Sequence, residues 1–333
     1  MSDSTKPFLV VIVGPTASGK TELSIELAKR INGEIISGDS MQVYRQMDIG
    51  TAKVTQEEMD GISHHMIDIL NPDDTFSAYD FKKRAETLID DITARGKIPI
   101  IAGGTGLYIQ SLIYDYPFDD EKSVSQEVEA QANAKLSELE QLDNQTLHQY
   151  LASFDAESAK DIHPNNRKRV NRAIEYYLKT KKLLSSRKKV QQFTENYDTL
   201  LIGIEMSRKT LYSRINKRVD IMLGHGLFNE VKQLVEQGFE STQSMQAIGY
   251  KELVPVVKAQ MDLEPAVETL KQHSRQYAKR QLTWFKNKLN VHWYNRETMT
   301  LQMMLDEITT QINKRSSKHD CKPQHPRPST REL

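Results

Sequence analysis

The stretch FLVVIVGPTASGKTEL at residues 8–23 decides the fold. Its first six residues are apolar and mostly β-branched, which predicts a strand buried on both faces of a parallel sheet. Leu23, Leu27 and Ile31 then follow at helical spacing. A strand, a glycine-rich turn and a helix in this order open a P-loop fold. We therefore expect an α/β protein with a P-loop NTPase-like parallel sheet core flanked by helices.

The turn itself, GPTASGKT at residues 14–21, matches the pattern G-x-x-x-x-G-K-[ST]. Small residues let successive backbone N–H groups turn inward around an anion at a helix N-terminus. Lys20 adds a positive charge, and the Thr21 hydroxyl is a ligand for Mg²⁺. The alternative is a glycine turn that only begins a helix. The predicted diphosphate- or nucleotide-binding residues are Gly14, Pro15, Thr16, Ala17, Ser18, Gly19, Lys20 and Thr21.

Two further apolar runs end in turns that could bind a ligand. GEIIS is followed by Gly38-Asp39-Ser40, and KIPIIA is followed by a glycine-rich turn at 103–106. Open α/β sheets bind ligands at the carboxyl ends of their strands, so both turns belong to a predicted site. A fourth strand is predicted at 199–206, and long helical patterns follow at 207–237 and about 263–289.

About 80 residues without a strand signal separate the third and fourth strands. We therefore predict a P-loop core formed by 1–116 and 199–313, the second part mostly helical, with an all-helical insertion domain at 117–198. The polar tail at 314–333 contains three prolines and is predicted to be disordered.

Composition excludes several classes of protein. The chain of 333 residues has 45 Lys plus Arg against 45 Asp plus Glu, so bulk charge cannot hold it to a polyanion and a local patch must do so. Its single cysteine, Cys321, allows neither an intramolecular disulfide nor a cysteine zinc cluster. No apolar run is long enough to span a bilayer, and the first residues lack a signal peptide's apolar stretch. We expect a cytoplasmic protein without a membrane partner.

The phosphate loop does not by itself identify the ligand. A GTPase should carry N-K-x-D, and the nearest strings, at 216–219 and 287–290, both fail. The other apolar runs do not end in the Asp expected of a motor ATPase magnesium site. A small-molecule kinase and an enzyme with a diphosphate leaving group both remain.

The segment after the second strand narrows the chemistry. Asp39, Ser40, Gln42 and Tyr44 lie just beyond a strand that should neighbour the phosphate loop. A carboxylate there could bind magnesium or accept a proton from an acceptor amine or hydroxyl. The Gln42 amide could form paired hydrogen bonds with an adenine edge. The alternative is that Asp39 only caps a turn.

Seven ordered blocks together resemble the bacterial tRNA dimethylallyltransferase family, from Val10 to about Trp293. These blocks are GPTASGKT, DSMQVYR with DIGTAK, GGTGLY, DIHPNNRKRVNRAIE, RINKRVDIM, AIGYKE and YAKRQLTWF. The resemblance implies transfer of a five-carbon group from dimethylallyl diphosphate to N6 of adenosine 37, in tRNAs that read codons starting with U. It also implies that the phosphate loop holds the donor diphosphate with Mg²⁺. Eukaryotic relatives add a zinc finger near the C-terminus, which one cysteine cannot form.

The resemblance also implies roles for particular residues. Asp39 corresponds to the general base, Thr105 to its partner at the reaction centre and Arg214 to a diphosphate contact. The implied partner is the tRNA anticodon stem-loop. Its contacts are expected at Asp39, Ser40, Met41, Gln42, His163, Pro164, Asn165, Asn166, Arg167, Ser244, Met245, Gln246, Ala247, Ile248 and Gly249.

The insertion carries a basic run between 163 and 189, with ten basic residues and one opposing acid. We interpret this run as an RNA phosphate contact that includes Arg169 and Arg172, although a solvated helix face is the alternative. His64 and His65 have poor spacing for a metal site, which favours a structural or hydrogen-bonding role. For Trp284, Phe285, Trp293 and Tyr294, core packing is favoured over base stacking.

Three functions remain in competition. The leading one is a magnesium-dependent tRNA prenyltransferase, acting as a monomer without an obligate protein partner. A P-loop kinase would need ATP and would have little use for the basic insertion. An RNA-binding adaptor could sense nucleotide without turnover. The sequence leaves open whether ATP also binds.

Overall fold

The computed structural model describes residues 6–114, 118, 124–186 and 195–320. The chain forms two compact units, one of Met1–Ile113 with Asn196–Leu333 and the other of Tyr114–Glu195. The second unit begins and ends three residues before the insertion boundaries expected from the sequence. Among the described helices, none combines the length and apolar character that a membrane span requires.

The first unit is built on one sheet of parallel strands. The strands found in the described residues are β1 Phe8–Val13, β2 Gly33–Ser37, β3 His64–His65, β4 Ile98–Gly103, β5 Asp198–Glu205 and β6 His292–Asn295. Their order across the sheet is β3-β2-β4-β1-β5-β6. The first strand lies between β4, where Val10 pairs with Ile100, and β5, where Val10 pairs with Leu200. The predicted α/β fold with a parallel sheet is therefore confirmed.

Burial explains why the central strand is apolar throughout. Residues 9–13 are all buried, because helices cover both faces of a parallel sheet. On one face, Val10 and Ile12 pack with residues of the helix that follows the phosphate loop and of the last helix. The predicted burial of this strand on both faces is confirmed.

In the described part of the first unit, helices pack against the sheet and against one another. They are α1 Lys20–Ile31, α2 Gln56–Met59, α3 Ala78–Ala94, α4 Gly106–Ile113, α9 Arg208–Gly224, α10 Leu227–Glu236, α11 Tyr250–Val257, α12 Leu263–Lys288 and α13 Leu301–Asp320. The single helical pattern predicted at 207–237 is two helices, because Gly226 adopts a φ of 98° and breaks the run. The last helix continues to Asp320, so residues 314–320 are helical and not part of a disordered tail. Residues 321–333, with Cys321, lie outside the described residues.

The second unit contains helices in its described residues, as expected for the insertion. They are α5 Gln126–Leu139, α6 Asn144–Ala152, α7 Ala156–Asp161 and α8 Arg167–Thr180. Leu147, Leu151, Val170 and Ile174 form the centre of a separate apolar core. Asp155 caps α7 through Ser158 N and also accepts a hydrogen bond from Ser185 N. The unit thus has a core of its own.

Candidate active site

The phosphate loop connects β1 to α1 in the conformation that its glycines permit. Gly14 and Gly19 adopt φ values of 153° and 96°, and a side chain on Gly14 would collide with the Ile204 carbonyl. Ala17 also has a positive φ, of 62°. The loop closes with a bond from Ser18 N to Pro15 O at 3.3 Å, and α1 begins at Lys20. The loop and the start of α1 therefore have the backbone arrangement that is typical of anion sites at helix N-termini.

Lys20 is the cation at the centre of this loop. Its Nζ donates to the Pro15 carbonyl at 2.7 Å. Burial, together with the nearby charge of Arg218, lowers the pKa of Lys20 to about 7, although the charge of Asp39 partly opposes both effects. An anion placed in the loop would stabilise the protonated ammonium, because opposite charges favour the charged form.

A cavity of about 1170 Å³ joins the loop to most of the predicted site residues of the first unit. Residues 16–21 line one part of it and residues 39–42 another. Arg214 and residues 246–249 complete the set of predicted residues in its wall. Isoleucines, Leu270 and Met222 add an apolar portion. One cavity can thus hold an anion, an apolar group and a polar acceptor.

Asp39 lies two residues beyond the end of β2, half-buried in the cavity wall. Its Oδ1 accepts a hydrogen bond from Met41 N at 2.8 Å, so the turn-capping role is real. The carboxylate makes no ion pair within the described residues. Thr105 Oγ1 accepts a hydrogen bond from Ser40 N at 3.1 Å, which places Thr105 beside the Asp39 segment.

Two arginines on α9 approach the cavity differently. Arg214 is exposed, whereas Arg218, one turn later, is half-buried. Burial lowers the pKa of Arg218, and the charge of Asp39 partly offsets that effect. Arg218 also acts electrostatically on Lys20. The sequence-based choice of Arg214 overlooked Arg218, although helical spacing from Arg214 could have suggested it.

Helix α12 contributes two further residues that the sequence did not single out. Burial raises the pKa of Tyr277 to about 12 with help from Asp39, while the Thr105 and Gln281 side chains lower it. The buried Gln281 accepts a hydrogen bond from Thr16 N. The motif YAKRQLTWF contained both residues but gave no signal for either contact.

The predicted tRNA segments of the first unit differ in accessibility. Gln42 already uses its amide internally, because Oε1 accepts from Ser37 Oγ at 3.0 Å and Nε2 lies 3.4 Å from two carbonyls. Residues 246–249 line the cavity. Ser244 and Met245 are buried, and the Ser244 hydroxyl donates to the Pro72 carbonyl. Neither of these two residues presents its side chain to a ligand in this structure.

In the second unit, residues 163–166 form an exposed or half-buried turn before α8. His163 Nδ1 accepts from Asn165 N, Pro164 is half-buried, and Asn166 immediately precedes the helix. Arg167 is instead used internally. Its guanidinium donates to Leu142 O, Asn144 Oδ1, Leu139 O and Glu140 O.

Other residues of the basic run remain on the surface. Lys168, Arg169 and Arg172 are exposed and have no ion-pair partner in the described part of the chain. Lys179 is paired with Glu175 and lies near Glu129. The available positive surface of α8 is therefore smaller than the count of basic residues suggests.

The histidine pair and the aromatic set have structural contacts. His65 Nε2 bonds to Glu34 Oε2 at 2.7 Å, and His64 Nδ1 bonds to Ile62 O. Phe285 and Tyr294 are buried in the core. Trp284 and Trp293 are half-buried, and Lys286 lies over the Trp293 ring. Core packing is thus confirmed for Phe285 and Tyr294.

The oxygen donors in the cavity fit a magnesium ion that is coordinated mainly by the phosphates of a bound substrate. No cluster of three or more His, Cys, Asp or Glu residues suited to a metal occurs among the described residues. The exposed Thr21 hydroxyl is a single oxygen donor beside the loop. Mg²⁺ typically keeps several waters and binds through substrate phosphates plus few protein oxygens. The residues present are compatible with that mode.

Comparison with known proteins agrees with this geometry. Residues 42–288 match the family model described as IPP transferase. A tRNA dimethylallyltransferase of Staphylococcus haemolyticus is 85% identical over 333 residues, all of both chains. The structure of a tRNA delta(2)-isopentenylpyrophosphate transferase from Staphylococcus epidermidis is 80% identical, with a TM-score of 0.70 over 93% of this chain and 100% of that one. A eukaryotic dimethylallyltransferase acting on tRNA is 32% identical, with a TM-score of 0.78 over 92% and 80% of the two chains. The chain therefore belongs to the IPP transferase family.

Proposed function

We propose that this chain transfers a dimethylallyl group from dimethylallyl diphosphate to N6 of adenosine 37, in tRNAs that read codons starting with U. The observation that carries the proposal is the shared cavity, in which the phosphate loop and an aspartate without an ion pair face the same space. A phosphate-binding loop alone would serve a kinase equally well. The family and its curated relatives favour the prenyl transfer.

The donor half of the reaction needs charge neutralisation. The C–O bond to the diphosphate breaks as the allylic carbon bonds to the amine nitrogen, so negative charge grows on the departing oxygens. Lys20, the loop N–H groups and Arg218 stabilise that charge, with Arg214 at the more exposed position. Thr21 is the protein ligand we assign to Mg²⁺, which would neutralise further diphosphate charge when bound.

The acceptor half needs a proton acceptor and a dry site. Alkylation makes the adenine amine acidic, and Asp39 accepts the proton that leaves, while Thr105 lies beside it. The apolar wall of the cavity surrounds the five-carbon group and excludes water, which would otherwise capture the allylic cation. The target base must leave its stack to reach this cavity.

The tRNA contacts divide by accessibility. Residues 39–42 and 246–249 line the cavity and are assigned to the extruded base and its neighbours. Lys168, Arg169 and Arg172 supply exposed charge for phosphates. We assign the protein to the cytoplasm, where its tRNA substrate is found, and to a monomeric state.

One experiment separates the three functions. The protein is incubated with tRNA and Mg²⁺ plus either dimethylallyl diphosphate or ATP. The tRNA is then digested, and the masses of its nucleosides are measured by mass spectrometry. We expect adenosine to gain one dimethylallyl group only with the prenyl donor. A tRNA with guanosine at position 37 is the matched substrate control. Consumption of ATP without a modified nucleoside would favour a kinase, and neither a modified nucleoside nor ATP consumption would favour a binding protein.

A further inference from the structure

Gln281 connects two loops that belong to the two halves of the site. Its Oε1 accepts from Thr16 N at 2.9 Å, and its Nε2 donates to Gly104 O at 3.0 Å. The residue is 6% exposed, so both ends of its amide are satisfied away from water. Only one orientation of the amide fits, because Thr16 supplies a donor and Gly104 an acceptor.

The two loops serve different reactants. Thr16 belongs to the phosphate loop, whereas Gly104 immediately precedes Thr105. Thr105 in turn accepts the Ser40 N–H beside Asp39 and donates its own N–H to Gly38 O at 3.3 Å. A single buried side chain therefore joins the diphosphate side to the proton-acceptor side.

Close packing makes this connection rigid. A side chain on Gly104 would overlap Gln281 Nε2, and one on Gly106 would overlap the Trp284 indole. Tyr277 and Trp284 lie four residues before and three residues after Gln281 on α12, so the three share one face. Tyr277 interacts with both Thr105 and Gln281. This face of α12 supports the whole 104–106 turn.

Gln281 influences the geometry of the site and adds no charge to it. It is neutral, and it occupies the Thr16 N–H that would otherwise be free to meet an anion. Prenyl transfer requires the breaking C–O bond and the attacking amine to be aligned, and a misplacement of about 1 Å can cost about 10²-fold in rate. The distance between the two loops is thus the quantity that the residue controls.

Resting on the proposed function, we propose that Gln281 is a positioning residue that holds the phosphate loop and the Thr105–Asp39 segment at the separation that prenyl transfer needs. Gln281 lies in the wall of the cavity, but both ends of its amide are already engaged by Thr16 N and Gly104 O. Its effect passes through Thr16 on one side and Gly104 on the other.

The first test is Gln281→Met, which keeps the length and volume but removes both hydrogen bonds. We expect kcat to fall by about 10²-fold, with much smaller changes in KM for dimethylallyl diphosphate and for tRNA. Gln272→Met is the matched control, because Gln272 is an exposed glutamine on the same helix. Thermal unfolding shows whether each variant is folded at the assay temperature.

The second test keeps the inference falsifiable if Gln281→Met does not fold. In Gln281→Glu, a protonated carboxyl can accept from Thr16 N and donate to Gly104 O, whereas the carboxylate repels that carbonyl. Burial favours the protonated form, so the ratio of kcat for Gln281→Glu to kcat for the parent should rise as pH falls.

The outcomes separate this inference from the proposed function. If the parent makes no prenylated adenosine, the proposed function is wrong. If the parent is active, the inference is overturned by a folded Gln281→Met with the parent kcat or with a loss confined to KM. If Gln281→Met does not fold, a pH-independent ratio for Gln281→Glu overturns it. A kcat loss in Gln281→Met, or a ratio that rises at low pH, supports it.

Discussion

Strand β2 has an acidic residue near each end, and the two carboxylates have opposite surroundings. Glu34, near the start, is buried and bonded to Arg95, to His65 and, at 2.8 Å, to Lys97. The hydrogen bonds from Arg95 hold the pKa of Glu34 far below its usual range, with Lys97 and His65 adding to the effect and burial opposing it. Asp39, beyond the other end, receives a hydrogen bond from Met41 N and makes no ion pair within the described residues.

Only the carboxylate without cationic contacts stays available for chemistry. The cations Arg95 and Lys97 and the His65 ring occupy the oxygens of Glu34, so this residue stabilises the fold. The charges of Lys20 and Arg218 reach Asp39 without forming contacts with it. Asp39 also lies at the carboxyl edge of the sheet, where α/β proteins bind their ligands.

The largest effect is expected for substitution of Asp39. Asp39→Asn keeps the shape but removes proton acceptance, so kcat should fall by about 10²- to 10⁴-fold while tRNA affinity changes little. Single-turnover rates and tRNA binding measure the two quantities. Collapse of tRNA binding with an intact kcat would instead make Asp39 a binding or capping residue.

The next effect concerns the cations around Asp39. We expect Arg218→Met to lower kcat/KM for dimethylallyl diphosphate by about 10²-fold, because a half-buried cation near the loop stabilises the leaving group. Arg214→Met is the matched control on the same helix and should lose much less, since Arg214 is exposed. Steady-state kinetics at varied concentrations of dimethylallyl diphosphate measure both losses. Equal losses, or a larger loss at Arg214, would contradict the assignment.

A smaller effect is expected for Glu34, the carboxylate near the start of β2. Glu34→Gln should lower the free energy of unfolding by about 2 kcal/mol at pH 7, with kcat unchanged. The pKa of Glu34 is lowered on folding, so its contribution is fully present above the unfolded pKa and is lost as pH falls below about 4. Denaturant unfolding of both proteins at pH 7 and at about pH 3 should therefore show a shrinking difference. A difference that is constant with pH would refute this account.

The smallest effect is expected for the exposed basic residues of α8. Replacing Lys168, Arg169 and Arg172 with Ala should weaken tRNA binding whatever its base sequence. The plot of log K against log salt should flatten by somewhat less than one unit per lost contact. Donor affinity is the internal control. A variant with the parent's affinity and salt slope would make this surface a solvated helix face.

Features that depend on neighbouring residues were predictable from the sequence. The strand, the glycine turn and α1 are contiguous, and both glycines of the loop with positive φ belong to the motif. Asp39 could be placed because it follows an apolar run at a strand end. Gly224 and Gly226 also carried a signal for the break between α9 and α10, which the helical pattern alone concealed.

Features that depend on distant contacts were not predictable. Gln281 lies 265 residues from Thr16, and no local pattern reports such a bond. Arg167 stands in a basic run, yet its guanidinium is bonded to oxygens at 139–144 and caps the end of α5. A count of basic residues cannot distinguish a cation that already binds carbonyl groups from one that is available to bind a phosphate.

The position of β1 in the sheet has a consequence for synthesis of the chain. This strand is made first, but one of its two neighbours, β5, begins at Asp198, after the whole second unit. Until then, FLVVIV keeps an unpaired apolar edge, which is a template for association with other chains. We expect nascent chains that stop within the insertion to depend most strongly on chaperones, and this dependence to fall once residue 205 has emerged.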